Sequence, residues 1–269
     1  MTITDIRPST PEAIAGSSKR RWAALLVLMF PVLLVSIDNT ALSFAVPSLS
    51  RDLRPSANQL LWIIDVYPLV LAALLVAMGS LGDRIGRRRI LLIGATGFAA
   101  VSAAAAFAPT AGALIAARAG LGFFGAMLMP ATLSLIRNIF ADDHERRRAI
   151  AIWAAGFSGG AALGPLAGGW LLEHYSWGSI FLLAVPVLVP LLVLGPILLP
   201  ESKDPNPGPV DVLGIALVTL ALGAVVFAIK AAGTGEPVTV SLGVAAVGLV
   251  AGAAFVRRML GREEPMLDV

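Results

Sequence analysis

The sequence predicts an all-α integral membrane protein with eight transmembrane helices and both chain ends in the cytoplasm, and three observations predict it. The chain is 57% hydrophobic and only 14% charged. Soluble domains are about one-quarter charged, and 269 residues cannot hide so much apolar surface in one core. Secondly, the apolar residues gather into continuous runs of about 20 residues or more, the length a helix needs to cross a bilayer. Membrane β-barrels instead alternate apolar and polar residues over strands of about 10. Thirdly, the basic residues cluster at the ends of these runs, so the pI near 9.8 reflects membrane topology rather than nucleic-acid binding.

The runs lie near 22–47, 60–82, 89–108, 112–137, 148–173, 178–199, 211–230 and 238–258. Residues 1–18, rich in Ser, Thr and Pro without periodicity, read as a disordered cytoplasmic tail. Lys19, Arg20 and Arg21 precede a run too long for the apolar part of a secretory signal, about 7–15 residues, so the first helix is retained. Residues 19–199 then form a six-helix bundle. The stretch LPESKDPNPGPVD, with its Pro, Asp and Gly, marks a cytoplasmic loop over 200–210. Two further helices fill 211–258, and 259–269 begin whatever follows on the cytoplasmic side. With the amino terminus inside, sixteen basic residues fall in cytoplasmic segments against Arg51, Arg54 and Lys230 outside. The positive-inside rule fixes that orientation. Trp22, Trp62 and Trp177 sit near span ends, where aromatic belts form.

Three fully charged residues lie well inside spans: Asp38, Asp65 and Arg118. At about 1.5 Å per residue, Asp38 is roughly 13 Å from the outer end of helix 1, Asp65 roughly 7 Å into helix 2 and Arg118 roughly 9 Å into helix 4. All three occupy the outer half of the membrane at comparable depth. An ion there costs at least about 2.5 kcal/mol unless it meets water or a partner. They are candidates for proton coupling or cation binding; for Asp65 and Arg118, an interfacial anchor or a packing salt bridge is the alternative. No catalytic or metal constellation accompanies them: the chain has no Cys, its two histidines, His144 and His174, sit near helix ends, and no HExxH occurs. An enzyme is therefore not expected, nor is a cofactor. The segment GLGFFG, 120–125, fits G-x-G-x-x-G only formally, because it lies inside an apolar helix with no preceding strand.

The turn between helices 2 and 3, GSLGDRIGRRRILL, combines Gly79, Gly82 and Gly86 with Asp83, Arg84, Arg87 and Arg88. Positive-inside bias explains the arginines but not an acid between glycines. The segment matches at every defined position the signature G-x-L-A/G-D-R-x-G-R-K/R-x-x-L and so resembles the major facilitator superfamily. The resemblance implies a loop that controls exchange between inward- and outward-open states, with Arg137 at the inner end of helix 4 as a local partner for Asp83.

Helix 5 carries GFSGGAALGPLAGGWL, in which Gly156, Gly160, Gly164 and Gly168 recur every four residues beside Pro165 and Gly169. Such a stripe allows tight helix packing. Its Gly-Pro and Gly-Gly spacing also resembles the helix-5 motif of drug:proton antiporters. Residues 37–47, IDNTALSFAVP, are similar to the helix-1 motif L-D-x-T-x-V-N-x-A-L-P of the fourteen-helix branch, departing from it at Ser43 and Val46. WIIDVY, 62–67, resembles the start of helix 2 in QacA-type exporters, and Arg118 with Gly122 and Gly125 matches the helix-4 arginine linked to proton transfer. By resemblance, then, the chain is the amino-terminal portion of a proton-coupled exporter of lipophilic and quaternary ammonium cations in the cytoplasmic (inner) membrane. Its implied partners are cationic drugs or dyes, protons, the lipid bilayer, and a missing carboxy-terminal half or a second copy. An importer of small nutrients and a non-transporting membrane assembly module are the rival readings.

Overall fold

The computed structural model describes residues 18–203, 211–233 and 238–261. The expected tail up to residue 17, most of the loop over 200–210, and residues 262–269 lie outside the described residues. Every regular element described is helical: α1 (Ser18–Leu53), α2 (Ala57–Ile85), α3 (Arg87–Ala105), α4 (Ala111–Ile139), α5 (Asp143–His174), α6 (Ser179–Leu182), α7 (Ala184–Leu198), α8 (Val212–Gly233) and α9 (Val238–Leu260). The short α6 continues into α7 as one apolar rod, Ser179–Leu198. Seven helices among the described residues are long and apolar enough to cross a membrane. The remaining expected span is the helix α8, whose apolar stretch, Leu213–Ile229, is shorter than the others.

Most helices outrun their apolar cores because polar residues cap them. Ser56 and Gln59 form a reciprocal capping box at the start of α2. Thr110 accepts from the Ala113 amide at α4. Asp142 accepts from the His144 and Glu145 amides at α5. Each cap satisfies orphan N–H groups of a first turn, so α5 begins well before its apolar run.

Within the bundle α1 lies along α5, α2 and α3 lie along α4, and the α6–α7 rod closes against α1 and α3. Leu28, Leu49, Ile63, Phe98, Leu121 and Phe181 are fully buried between them. Hydroxyls cross the interfaces to backbone carbonyls: Ser36 donates to Phe157 at 2.6 Å and Ser102 to Phe181 at 2.7 Å. The opposite faces expose Leu26, Leu166, Ile197, Leu220 and Leu249. A rim of this kind is costly in water and at home in hydrocarbon.

The α8–α9 hairpin is fastened at one end by Asp211. Its carboxylate caps α8 through the Gly214 amide at 2.9 Å and receives Arg258 Nε from the last turn of α9 at 2.9 and 3.0 Å. Gly248 lets α9 close on α8, where an added Cβ would stand 3.1 Å from that of Ala224. The hairpin reaches the bundle through α2, where Thr219 donates to the Ala73 carbonyl at 3.3 Å and Trp62 meets Phe227 at 6.0 Å between ring centroids.

Candidate functional site

Two of the three predicted intramembrane charges meet. Arg118 Nη1 donates to Asp38 Oδ2 at 2.6 Å, joining α4 to α1, and the residues are 1% and 7% exposed. Arg118 Nε donates to the Ile63 carbonyl of α2 at 3.1 Å. The guanidinium carbon also lies 4.4 Å from the centroid of the Tyr67 ring. Ile63 and Tyr67 are one helical turn apart, so α2 holds the arginine by a carbonyl and an aromatic face on one side. Asp65 is half-buried on the same helix. At about 100° per residue it lies roughly 200° around α2 from both Ile63 and Tyr67. It shares instead the side of Trp62 and Leu69, which line a cleft against α8 and α9. The expected three-residue layer is thus an ion pair plus an acid on the far side of α2.

Sequence reasoning assigned no role to Tyr67 or to the Ile63 carbonyl. The legible hint was Gly122 and Gly125. A Cβ on Gly122 would lie 2.6 Å from the Tyr67 carbonyl oxygen, and one on Gly125 would lie 3.5 Å from the Tyr67 ring. These two glycines admit α2 close enough to α4 for the ring to cover Arg118.

Next to the pair along α1, where Asn39 follows Asp38, the helices α1, α2, α4 and α5 border an open apolar cavity of about 470 Å³ lined by Val35, Asn39, Leu71, Met129, Trp153 and Phe157 among others. Trp153 stands edge-on to Phe157 at 5.2 Å and donates to Thr132 Oγ1 at 3.1 Å. Such a surface suits a flat lipophilic molecule, with few polar groups to orient it.

The glycine stripe of α5 faces α1. Gly160 sits against Ser36 and the Leu33 carbonyl, Gly164 against Thr40, Gly156 against Met29 and Gly168 against Ala41. Gly169 faces open space, with no atom within 4 Å of an added Cβ. Pro165 lies within the continuous helix.

At the arginine-rich end, α2 breaks at Gly86, whose φ of 113° no side chain would favour. Asp83 accepts from Arg87 Nε at 2.8 Å across that break. The expected partner Arg137 is exposed, and the turn instead returns Arg87 to Asp83 four residues on. Arg84 is half-buried, and Gly79 packs on Pro130 of α4. The segment after α7, read in the sequence only as a loop, holds the turn. Glu201 accepts from the Arg88 amide at 3.1 Å and lies 3.7 and 3.8 Å from the Arg88 and Arg89 side chains. The Arg87 amide donates to the Ser202 carbonyl at 2.9 Å, and Arg88 Nη1 reaches the Pro196 and Leu199 carbonyls.

Residues 28–263 match the sequence model of the Major Facilitator Superfamily. The chain belongs to this superfamily. Its members are membrane transporters rather than enzymes, and the chain is a multi-pass membrane protein. It is 62% identical over 250 residues to the multidrug efflux pump LfrA of Mycolicibacterium smegmatis, covering 93% of this chain and 50% of that protein. It is 41% identical over 254 residues to the methyl viologen resistance protein SmvA of Salmonella typhimurium, covering 93% and 51%. The chain therefore spans about half the length of these curated relatives. A peptide transporter, POT, crystallised with sulfate, shares the fold with a TM-score of 0.65 at 21% identity, over 89% of this chain and 52% of that one. The α2–α3 turn is closed by Asp83 and Arg87.

Proposed function

We propose that this chain is the amino-terminal portion of a fourteen-helix, proton-coupled multidrug exporter of lipophilic and quaternary ammonium cations in the cytoplasmic (inner) membrane, with its amino terminus in the cytoplasm. The observation that carries the reading is the buried Asp38–Arg118 pair beside the apolar, aromatic cavity of α1, α2, α4 and α5. The names of its relatives, a multidrug efflux pump and a methyl viologen resistance protein, support export.

In this reading transport is a competition for charge. A proton arriving from outside neutralises Asp38, the carboxylate no longer balances a cation in the cavity, and the drug leaves outward. Loss of the proton toward the more alkaline cytoplasm restores the carboxylate and its bond to Arg118. Arg118 is the counter-charge of the acid, held to it at 2.6 Å. Asp65, on the side of α2 that faces the cleft against α8 and α9, recognises the positive charge of the drug from that side. Gly79, Asp83, Arg84, Gly86, Arg87, Arg88 and Arg137 form the gating loop on the cytoplasmic side. Gly156, Gly160, Gly164, Pro165, Gly168 and Gly169 form the antiporter motif of helix 5. The missing carboxy-terminal half, or a second copy, completes the cavity.

The test is ethidium efflux from proteoliposomes of the full-length transporter under an imposed pH gradient. Asp38→Asn is expected to abolish gradient-driven efflux, and Asp65→Asn to weaken ethidium binding. Retention of both gradient-driven efflux and its pH dependence in the two variants would sink the scheme.

A further inference from the structure

We infer that Tyr67 is a positioning residue for proton coupling: its ring is the seat that holds Arg118 in place while Asp38 carries a proton. The inference rests on the reading of Asp38 as the proton-carrying acid. The buried guanidinium has three partners, the Asp38 carboxylate, the Ile63 carbonyl and the face of Tyr67. Protonation removes the negative charge from the first and leaves the other two. A cation so deeply buried, stripped of its counter-charge, either leaves its site or finds another negative surface. The π face of an aromatic ring is such a surface, and it gains importance as the carboxylate is neutralised.

The ring is fixed for that duty. It stands edge-on to Phe98 at 6.3 Å and 80°, and Gly125 lies against its edge. The charged groups that bear on it are Asp38 from α1 and Arg118 from α4. Asp65 lies on the other side of α2, α3 contributes Phe98, and the ionisable residues of α5 sit at its ends. The Tyr67 hydroxyl is fully buried and finds no hydrogen-bond partner among the described residues. What places an aromatic residue here is therefore the ring and not the hydroxyl.

A contact that favours the proton-loaded state more than the ion pair sets the pH at which coupling occurs. Loss of the ring is expected to move the half-maximal pH of gradient-driven efflux toward acid by about 0.4–1.5 units, the equivalent of a desolvated cation–π contact. Ethidium affinity at neutral pH should change less than the pH profile, since the Asp38–Arg118 bond is intact in the unprotonated state. The experiment measures the pH profile of ethidium efflux by the reconstituted full-length transporter carrying Tyr67→Phe, Tyr67→Leu, and a series in which Tyr67 is replaced by phenylalanines of increasing ring fluorination. The fluorinated series keeps the shape while draining the negative face, so it reports even if Tyr67→Leu fails to fold. Tyr67→Phe should keep the wild-type profile and the series should shift it stepwise. A flat series, or a Tyr67→Phe shift as large as that of the most fluorinated ring, overturns the role of Tyr67. If Asp38→Asn abolishes gradient-driven efflux while the series is flat, this inference alone fails; if Asp38→Asn leaves it intact, the coupling scheme fails and takes this inference with it.

Discussion

At the scale of single residues, the Asp38–Arg118 pair makes a prediction about folding that is independent of transport. Removing one partner of a buried ion pair strands the other charge and costs about 3–5 kcal/mol, whereas replacing both by neutral groups of similar size is far milder. Arg118→Leu and Asp38→Leu should each reduce the detergent-solubilised melting temperature sharply, and the Asp38→Leu, Arg118→Leu double variant should recover most of the loss. A double variant as unstable as the sum of its singles would show that the two residues do not act as a pair. Both residues were legible in the sequence because a charge in a long apolar run has few excuses. Tyr67 was not, since a lone aromatic at helical spacing reads as core, and the Ile63 carbonyl leaves no trace in side-chain identity at all. Glu201 was hidden for another reason. It sits in a hydrophilic connection, and only the fold brings that connection across the arginine-rich turn.

At the scale of elements, the stripe on α5 separates glycines that serve packing from one that does not. A Cβ on Gly160 would stand 2.6 Å from that of Ser36 and 2.8 Å from the Leu33 carbonyl oxygen, so α1 must move away from α5. Overpacking of this kind costs about 1–3 kcal/mol, and Gly160→Ala is expected to lower both thermal stability and efflux. Gly169→Ala meets open space and should be neutral or slightly stabilising, since Ala is the better helix former. Equal damage from the two would deny the stripe its role in packing; Gly169, one residue past Gly168, falls off the four-residue spacing that the sequence shows. The α5 cap makes a pH prediction. The Glu145 amide, then the His144 amide and the charges of His144 and Arg147, hold the Asp142 carboxyl below its ordinary value. A lowered carboxylate contributes stability that is complete above its unfolded value of about 3.9 and is lost as pH falls through the lower folded one. Protection of the His144 and Glu145 amides, taken relative to their intrinsic exchange rates, should therefore fall on acidification below about pH 4, and Asp142→Asn should flatten that dependence. Protection that stays equally high in the wild type through that range would show the cap is not ionic. Seven of the eight expected spans were legible as runs and recur as helices long enough to span. Their ends were not, because hydropathy reports depth in the bilayer, while the helix end is set by caps such as Ser56, Thr110 and Asp142.

At the scale of the molecule, this chain is, in the proposed reading, one of two bundles that move against each other. Alternating access in transporters of this class turns one bundle against another around a site at their interface. Within this chain the cavity of α1, α2, α4 and α5 has walls on the side of these helices only, and the contacts that pin the α2–α3 turn, from Asp83 through Glu201 and Ser202, all lie within the same bundle. The α8–α9 hairpin, tied to itself by Asp211 and Arg258, packs on α2 and contributes no lining residue to that cavity. Residues 1–269 purified and reconstituted alone should therefore bind ethidium, by fluorescence enhancement in detergent, yet fail to move it in response to a pH gradient. Joining the chain to the second half of a relative such as LfrA should restore gradient-driven movement, and the restored activity should vanish with Asp38→Asn. If the 269 residues alone drive efflux as monomers, then alternating access does not need the second bundle and the two-bundle reading is wrong. If they drive it only at protein densities where cross-linking captures pairs, a second copy is taking the place of the missing half.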